Sequence, residues 1–515
     1  MTLQNRLPQS RRVALNALSV LAKTFVLMAI GIILPPYVVG QIGRSEYGTV
    51  ILISSFLAFM QMVQIGTPQA LNRFIPRELE RGDKESLRRL LSTGLAMLCA
   101  FGLVVAIGTI LLTHHPAWIV KSSADGPTRS ISILIIIMGL AASIDMPMSF
   151  GHVLFQAHER YILHSILQTL GYIARLLLVL LLLGLFPGKV LAYAVGTVAG
   201  NFIQSLGIFV IAILLFREVR LAVREISFST MMKIGGFGLL TAVNTLAMMM
   251  FIQADYIVIG KLIGSEEVTA FNLGVVWVLI VRTYISAAMS VLTPSASRTE
   301  TAGQPGILRE MLIRSTKYGL LASLLPLLFL VPFGKVVMEV WMGPGYGQSA
   351  QIMLFILLGD IFANGISGGI SMLIGIGKLR FLTIANLAAG ILNVTIAVIL
   401  MKTLSLGVMS FAYAYCGIFM ILNSIVLPMH LGRIFKVPVG QYFKKAWLGP
   451  ILTGLFALPF GFFVYRMGLS HGWGGILASG AIFLIGYVII VFVIALDKYD
   501  KQLLRRVLVS RGQKA

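Results

Sequence analysis

Ile42-Gly43-Arg44-Ser45-Glu46 returns 221 residues later as Ile263-Gly264-Ser265-Glu266-Glu267, and each copy fills a short polar gap between two long apolar runs. The runs beside the first copy are residues 13–39 and 47–65, and those beside the second are residues 231–260 and 268–293. Further anchors keep the same order at nearly the same offset. Thr67-Pro68, with Arg73 following, returns as Thr293-Pro294 with Arg298, at offsets of 226 and 225; Ser92-Thr93 returns as Ser315-Thr316 at 223; and Ala157-His158-Glu159 falls opposite Ile376-Gly377-Lys378 at 219. Matches in register along a chain are the mark of an internal repeat.

Outward from these anchors the apolar runs continue from Val13 to Leu496. A helix that crosses a bilayer needs ~20 apolar residues, and fourteen such runs can be delimited: 13–39, 47–65, 90–112, 131–151, 161–185, 190–216, 231–260, 268–293, 312–333, 350–376, 381–401, 404–431, 447–465 and 473–496. Each repeat holds six of them. Six is even, so the second repeat starts on the same side as the first, and the halves are parallel repeats about an axis along the membrane normal. The expected fold is an all-α integral membrane protein with 14 transmembrane helices, two parallel six-helix repeats forming two bundles plus two C-terminal helices. Its expected domains are an N-terminal bundle over 1–222, a C-terminal bundle over 223–436, and two extra helices with a basic cytoplasmic tail over 437–515.

Composition agrees. Of 515 residues, 57% are hydrophobic and 12% are Asp, Glu, Lys or Arg, against about 25% charged residues in a soluble domain. A soluble fold is excluded, and the connections between runs leave no room for an extramembrane catalytic domain. The two cysteines, Cys99 and Cys416, lie far apart inside apolar runs and read as small buried hydrophobes, with no disulfide framework or metal site. The first run is about 27 residues long and lacks a small-x-small cleavage site, so it reads as a retained helix and not a secretory signal.

Charge sets the orientation. Of 41 Lys and Arg residues, 30 fall on or beside connections on the side shared by both termini, 8 fall on the other side, and Lys23, Arg175 and Arg282 lie within runs. The positive-inside rule then places both termini in the cytoplasm. The net charge of +22 is accounted for by juxtamembrane loops facing anionic lipid, and no nucleic-acid partner is expected.

Polar residues at helical spacing mark faces turned to protein or water. Arg12, Asn16, Ser19 and Lys23 form one stripe on the first run, and Ser54, Gln61, Gln64, Pro68 and Asn72 form another on the second. The repeat-related runs behave alike, with Thr241, Asn244 and Asp255 on the seventh and Thr283, Ser286, Ser290 and Thr293, beside Arg282, on the eighth. Two readings stay open: interhelical hydrogen bonding, or a hydrated cavity between the halves. Arg282 lies ~21 Å and ~16 Å from the ends of its run at 1.5 Å per residue, too deep to snorkel easily, and needs water, an anionic substrate or a partner such as Asp255. Lys23 lies ~15 Å from the cytoplasmic start of its run. For Arg175 an ion pair with Asp145 or Asp360 and a substrate role are equally open. Asp360, Asn364, Ser367 and Ser371 read as a structural stripe; His114, His115, His152, His158 and His164 as loop or interface residues; Asp497 and Asp500 as a solvated tail.

The residues resemble a known family, the polysaccharide (lipid-linked oligosaccharide) flippases of the multidrug/oligosaccharidyl-lipid/polysaccharide superfamily. The similar parts are Leu34-Pro35-Pro36-Tyr37 running into Ile42-Gly43-Arg44-Ser45-Glu46-Tyr47-Gly48, then Gly66-Thr67-Pro68-Gln69-Ala70-Leu71-Asn72-Arg73. The second half supplies Asp255-Tyr256-Ile257-Val258-Ile259-Gly260 with Gly264-Ser265-Glu266-Glu267. The resemblance implies two six-helix bundles, a cavity lined by the first, second, seventh and eighth helices, and alternating access that carries a polyprenyl-pyrophosphate-linked oligosaccharide from the cytoplasmic to the outer leaflet for surface polysaccharide export. In fourteen-span members the last two helices offer a groove to lipid tails. An anionic pyrophosphate suits a cavity with Lys and Arg, and Asp255, countered by Lys23 and Arg282, fits that charge.

The candidate substrate-binding residues are Lys23, Gln61, Gln64, Arg73, Asn244, Asp255, Arg282, Ser286 and Arg298. No catalytic residue, metal site or cofactor is expected, and coupling to a proton or sodium gradient stays open. The expected partners are the lipid-linked sugar, membrane lipids and other polysaccharide-assembly proteins, and the expected location is the cell inner membrane. One alternative is an ion-coupled drug or small-molecule exporter of the same superfamily. Another is a membrane-embedded polysaccharide polymerase or ligase, which the 16-residue outer connections at 114–129 and 334–349 are too short to favour.

Overall fold

A computed structural model describes residues 9–64, 66–118, 128–216, 221–468 and 472–502. The side chains of residues 9–14, 17, 63, 117, 128–129, 237–242 and 244 are outside the description. Among the described residues the regular structure is helical. Twelve helices among the described residues are long and apolar enough to cross a membrane, and a bent pair makes thirteen if it counts as one span.

The first unit, residues 1–272, contains α1 (Gln9–Ile42), α2 (Arg44–Gln61), α3 (Gly66–Arg81), α4 (Lys84–His114), α5 (Thr128–Ala157), α6 (Tyr161–Leu185), α7 (Lys189–Leu215), α8 (Phe228–Met249) and α9 (Gln253–Leu262). Helix α10 (Ser265–Met289) begins there and continues into the second unit, residues 273–515. The second unit adds α11 (Leu292–Thr301), α12 (Pro305–Met342), α13 (Gly347–Gly375), α14 (Arg380–Leu404), α15 (Met409–Ile421), α16 (Leu427–Ile434), α17 (Val439–Ala446), α18 (Leu448–Arg466) and α19 (Gly472–Ile490).

Glycine lets the helices of the first unit approach one another. Gly196 and Gly200, one turn apart on α7, face Val179 and Arg175 of α6 so closely that a Cβ at either would lie 2.9 Å and 2.4 Å from those residues' Cα atoms. This small-xxx-small seam gains van der Waals contact where lipid offers no hydrophobic drive. α5 packs on both α4 and α7, and α6 also packs on α1.

The two copies of the opening motif meet. Gly43 (φ 88°) and Gly264 (φ 153°) adopt backbone that side chains disfavour, and each turns the chain into a new helix, α2 and α10. The Ser45 and Ser265 hydroxyls then lie 2.9 Å apart, the Thr269 hydroxyl donates to the Arg44 carbonyl at 2.6 Å, and Arg44 sits 3.9 Å from Glu266. The Ser-Thr anchors are engaged differently. Ser92 and Thr93 hydroxyls accept from the backbone N–H groups of Ala222 and Ser227, in the segment between α7 and α8, while the Thr316 hydroxyl bonds the Tyr442 phenol of α17 at 2.8 Å and Ser315 donates to the Leu312 carbonyl of its own helix.

Two expectations change in detail. The second apolar run is bounded at residue 65, with the third starting at 90, yet residues 66–81 form α3. Buried Ala70, Leu71, Phe74, Ile75 and Glu78 give it an inward face, its axis meets that of α2 at 50°, and Asp83 then caps α4 by accepting from the Ser86 N–H at 3.0 Å. Residues 231–260 read as one run, yet they divide into α8 and α9 at residues 250–252. The restart puts the buried carboxylate of Asp255 in the first turn of α9, at the end of a helix where negative charge is favoured.

In the second unit α12 packs on α13, α17, α18 and α19. The stretch after α19 is pinned as well. Asp500, read as a solvated tail, is 2% exposed and takes hydrogen bonds from Lys317 Nζ at 2.6 Å, the Tyr318 hydroxyl at 2.5 Å and Arg314. The tail reading fails because these donors lie on α12, about 183 positions earlier. Burial alone would raise the Asp500 pKa, but the bonds from Lys317 and Tyr318, with the Asp497 backbone, hold it below the ordinary carboxylate range. A depressed native pKa stabilises the fold fully above the ordinary carboxylate range, and that stabilisation disappears as the pH falls through the native value. Thermal unfolding midpoints of wild type and Asp500→Asn should therefore differ clearly at pH 7 and converge in acid, and a constant difference would contradict the clamp.

Candidate functional site

The sequence-selected residues divide between the units, and each unit has its own polar centre. In the first, Lys23 of α1 reaches across to α6 and donates to Gln168 Oε1 at 3.0 Å. Gln168 also takes the Gln204 amide on its backbone carbonyl at 3.0 Å and lies 3.5 Å from His152 Nδ1. That ring nitrogen is 2.8 Å from His164 Nε2, a distance at which one imidazole donates and the other accepts. Of the loop and interface readings, His152 and His164 take the second, at the α5–α6 contact: His164 is 5% exposed and stacked on Phe155. Arg175 is paired with neither Asp145 nor Asp360. It sits 3.5 Å from Asn201 Oδ1 and 5.9 Å over the Tyr172 ring.

These groups border a half-open cavity of about 370 Å³, lined from α2, α5, α6 and α7 by residues that include Gln61, Asp145, His152, Gln168, Tyr172 and Gln204. Lys23 and Gln61, selected from sequence, thus reach the same cavity, Lys23 through Gln168. Gln64, half-buried, leaves its Oε1 without a partner among the described residues. Arg73 is exposed on α3, Asp255 is buried on α9, and the Asn244 side chain lies outside the described residues.

In the second unit Arg282 finds its partner. Its Nε and Nη2 donate to the two oxygens of Asp360 on α13, at 3.0 and 2.8 Å. The Tyr415 hydroxyl of α15 accepts from Arg282 and donates to Asp360 Oδ1 at 2.6 Å, closing a triangle. The suggested partner Asp255 is replaced by Asp360, which is fully buried, as is Tyr415. Arg282 keeps 22% of its side chain exposed. One turn on, Ser286 is exposed on the same helix, and Arg298 is exposed on α11.

The sequence reading passed over the α5, α6 and α7 contributors to the cavity. The signal was there: Asp145, Ser149 and His152 follow i, i+4, i+7 on α5, and His164, Gln168 and Tyr172 follow i, i+4, i+8 on α6. These are the same stripes that picked out the first and second runs.

Three comparisons bear on this arrangement. The family described as polysaccharide biosynthesis protein matches residues 13–300. The chain is similar to an uncharacterized membrane protein, EpsK, of Bacillus subtilis (strain 168), with 22% identity over 487 residues that make up 93% of this chain and 94% of that one. Its fold is similar to a lipid II flippase, MurJ, in an inward closed conformation, with a TM-score of 0.72 and 14% identity over 96% of this chain and 100% of the other. It is also similar to an inward-facing multidrug resistance MATE family transporter of the MOP superfamily, with a TM-score of 0.63 and 16% identity over 80% of this chain and 96% of the other. Both of these solved folds belong to transport proteins.

Proposed function

The chain belongs to the polysaccharide biosynthesis protein family, and from that membership we propose that it is a flippase that moves a polyprenyl-pyrophosphate-linked oligosaccharide from the cytoplasmic to the outer leaflet by alternating access. The observation that carries this reading is the polar, half-open cavity inside a bundle of apolar spanning helices. An anionic, hydroxyl-rich headgroup cannot cross hydrocarbon at tolerable cost, and a cavity that supplies hydrogen bonds in place of water lowers that barrier. The fold it shares with a lipid II flippase points the same way.

In this reading the chain has fourteen spans, α8 with α9 supplying the one beyond thirteen. It is built as two parallel six-helix repeats over 1–222 and 223–436, followed by two helices and a basic tail over 437–515. It lies in the cell inner membrane with both termini cytoplasmic, among other polysaccharide-assembly proteins. Lys23, Gln61, Gln64, Asn244 and Asp255 would meet the cargo from the first, second and seventh spans. Arg282 and Ser286 would meet it from the eighth, with Arg73 and Arg298 at the cytoplasmic mouth. The experiment is to supply lipid-linked sugar to the purified, reconstituted chain and examine both position and covalent form. Unmodified lipid-linked sugar arriving in the opposite leaflet supports the flippase; new glycosidic bonds would instead make it a polymerase or ligase.

A further inference from the structure

Polar side chains that border the first-unit cavity with no hydrogen-bond or ion-pair partner among the described residues include Gln61 on α2, Asp145 on α5 and Tyr172, through its hydroxyl, on α6. Other polar neighbours are engaged, Gln168 by Lys23, Gln204 by the Gln168 carbonyl, and His152 by His164. Polar groups that project into a cavity at membrane depth with no partner cost free energy until water or a ligand satisfies them.

The lining narrows what that ligand is. Among the described residues it contains no Lys or Arg, its one carboxylate is Asp145, and the adjacent Lys23 and Arg175 are taken up by Gln168 and Asn201, so the pyrophosphate end of a cargo is disfavoured. Its volume is at the lower end of ligand pockets, ~300–1,000 Å³, far more room than a bare ion ligated on all sides would take. Hydrocarbon tails would leave Gln61, Asp145 and the Tyr172 hydroxyl unsatisfied. What satisfies amides, a carboxylate acceptor and a phenol, and also lies against the Tyr172 and Phe202 rings, is a neutral ring carrying many hydroxyls.

We propose that this cavity is a sugar subsite for the cargo: Gln61, Asp145 and Tyr172 hydrogen-bond the hydroxyls of one or two sugar rings, while the pyrophosphate is held elsewhere by cations. This rests on the flippase reading and adds where the uncharged part of the cargo is recognised. Because hydroxyls must be matched by groups otherwise left unpaired, such a site discriminates strongly against a ligand that lacks them.

The test uses the full chain in lipid nanodiscs with three probes: undecaprenyl pyrophosphate bare, bearing one hexose, and bearing one N-acetylhexosamine. At least one sugar-bearing probe should bind about tenfold more tightly than the bare carrier, the equivalent of one or two good hydrogen bonds. In Tyr172→Phe and Gln61→Leu, and in the isosteric Asp145→Asn should either of those fail to fold, that preference should drop at least about threefold, with thermal unfolding verifying the fold of each variant. Equal binding of all three probes by wild type, or a preference unchanged in the folded variants, overturns the subsite and leaves the flippase reading standing. Failure to bind any probe overturns the flippase reading, and the subsite falls with it.

Discussion

Arg282→Ala should cost roughly 3–5 kcal/mol of stability, because it removes one half of a buried ion pair and leaves the other half charged. The guanidinium now fills both oxygens of Asp360, whose side chain is fully buried, and the Tyr415 phenol accepts from one partner and donates to the other. Removing the cation leaves an unpaired carboxylate facing only a phenol donor among helices α10, α13 and α15. The double change Arg282→Ala with Asp360→Leu should recover most of that loss, because an apolar pair of similar volume carries no desolvation cost. Transport separates structure from function. With Arg282 also meeting the pyrophosphate through its exposed portion, the double variant should regain its unfolding midpoint yet stay inactive. Recovery of both would assign Arg282 to structure alone.

Gly48→Val should produce the second largest effect. A Cβ at Gly48 would sit 1.7 Å from the Ser265 carbonyl oxygen and 2.6 Å from its carbonyl carbon, both backbone atoms that cannot rotate away. The junction that joins the two motif copies through Ser45, Ser265, Thr269 and Arg44 must then open. Overpacking of this kind costs ~1–3 kcal/mol, and branching at Cβ should push the loss to the upper end. Gly82→Ala, at a glycine with nothing within 4 Å of a Cβ but a positive φ of 70°, tests backbone strain without a clash. The unfolding midpoint of Gly48→Val should fall well below that of Gly82→Ala, and equal midpoints would show that the two motif copies do not touch.

The apolar helices, the motif copies and the polar stripes were legible because hydropathy and helical spacing are properties of one segment at a time. The Arg282 stripe could be read on its own helix, but its acceptor lies 78 residues away, and several carboxylates within spans were equally eligible. Asp500 looked like tail for the same reason: its donors sit on α12, a helix already assigned to the repeat. The imidazole pair was hidden differently. His152 and His164 flank a turn, so their positions left loop and interface both open, whereas α5 runs on to Ala157 and α6 starts at Tyr161, which places both rings at the α5–α6 contact. The break between α8 and α9 carries no glycine or proline at residues 250–252, so no local signal announced it.

The most direct measurement reconstitutes the full chain in vesicles that contain a polyprenyl-pyrophosphate-linked sugar in both leaflets, then adds a membrane-impermeant enzyme that modifies the sugar from outside. Vesicles without protein should yield only their outer-leaflet share. With the wild-type chain the modified fraction should rise toward completion, with the lipid-linked sugar otherwise chemically unchanged. A modified fraction equal to that of protein-free vesicles, with the chain folded and inserted, would contradict the flippase reading.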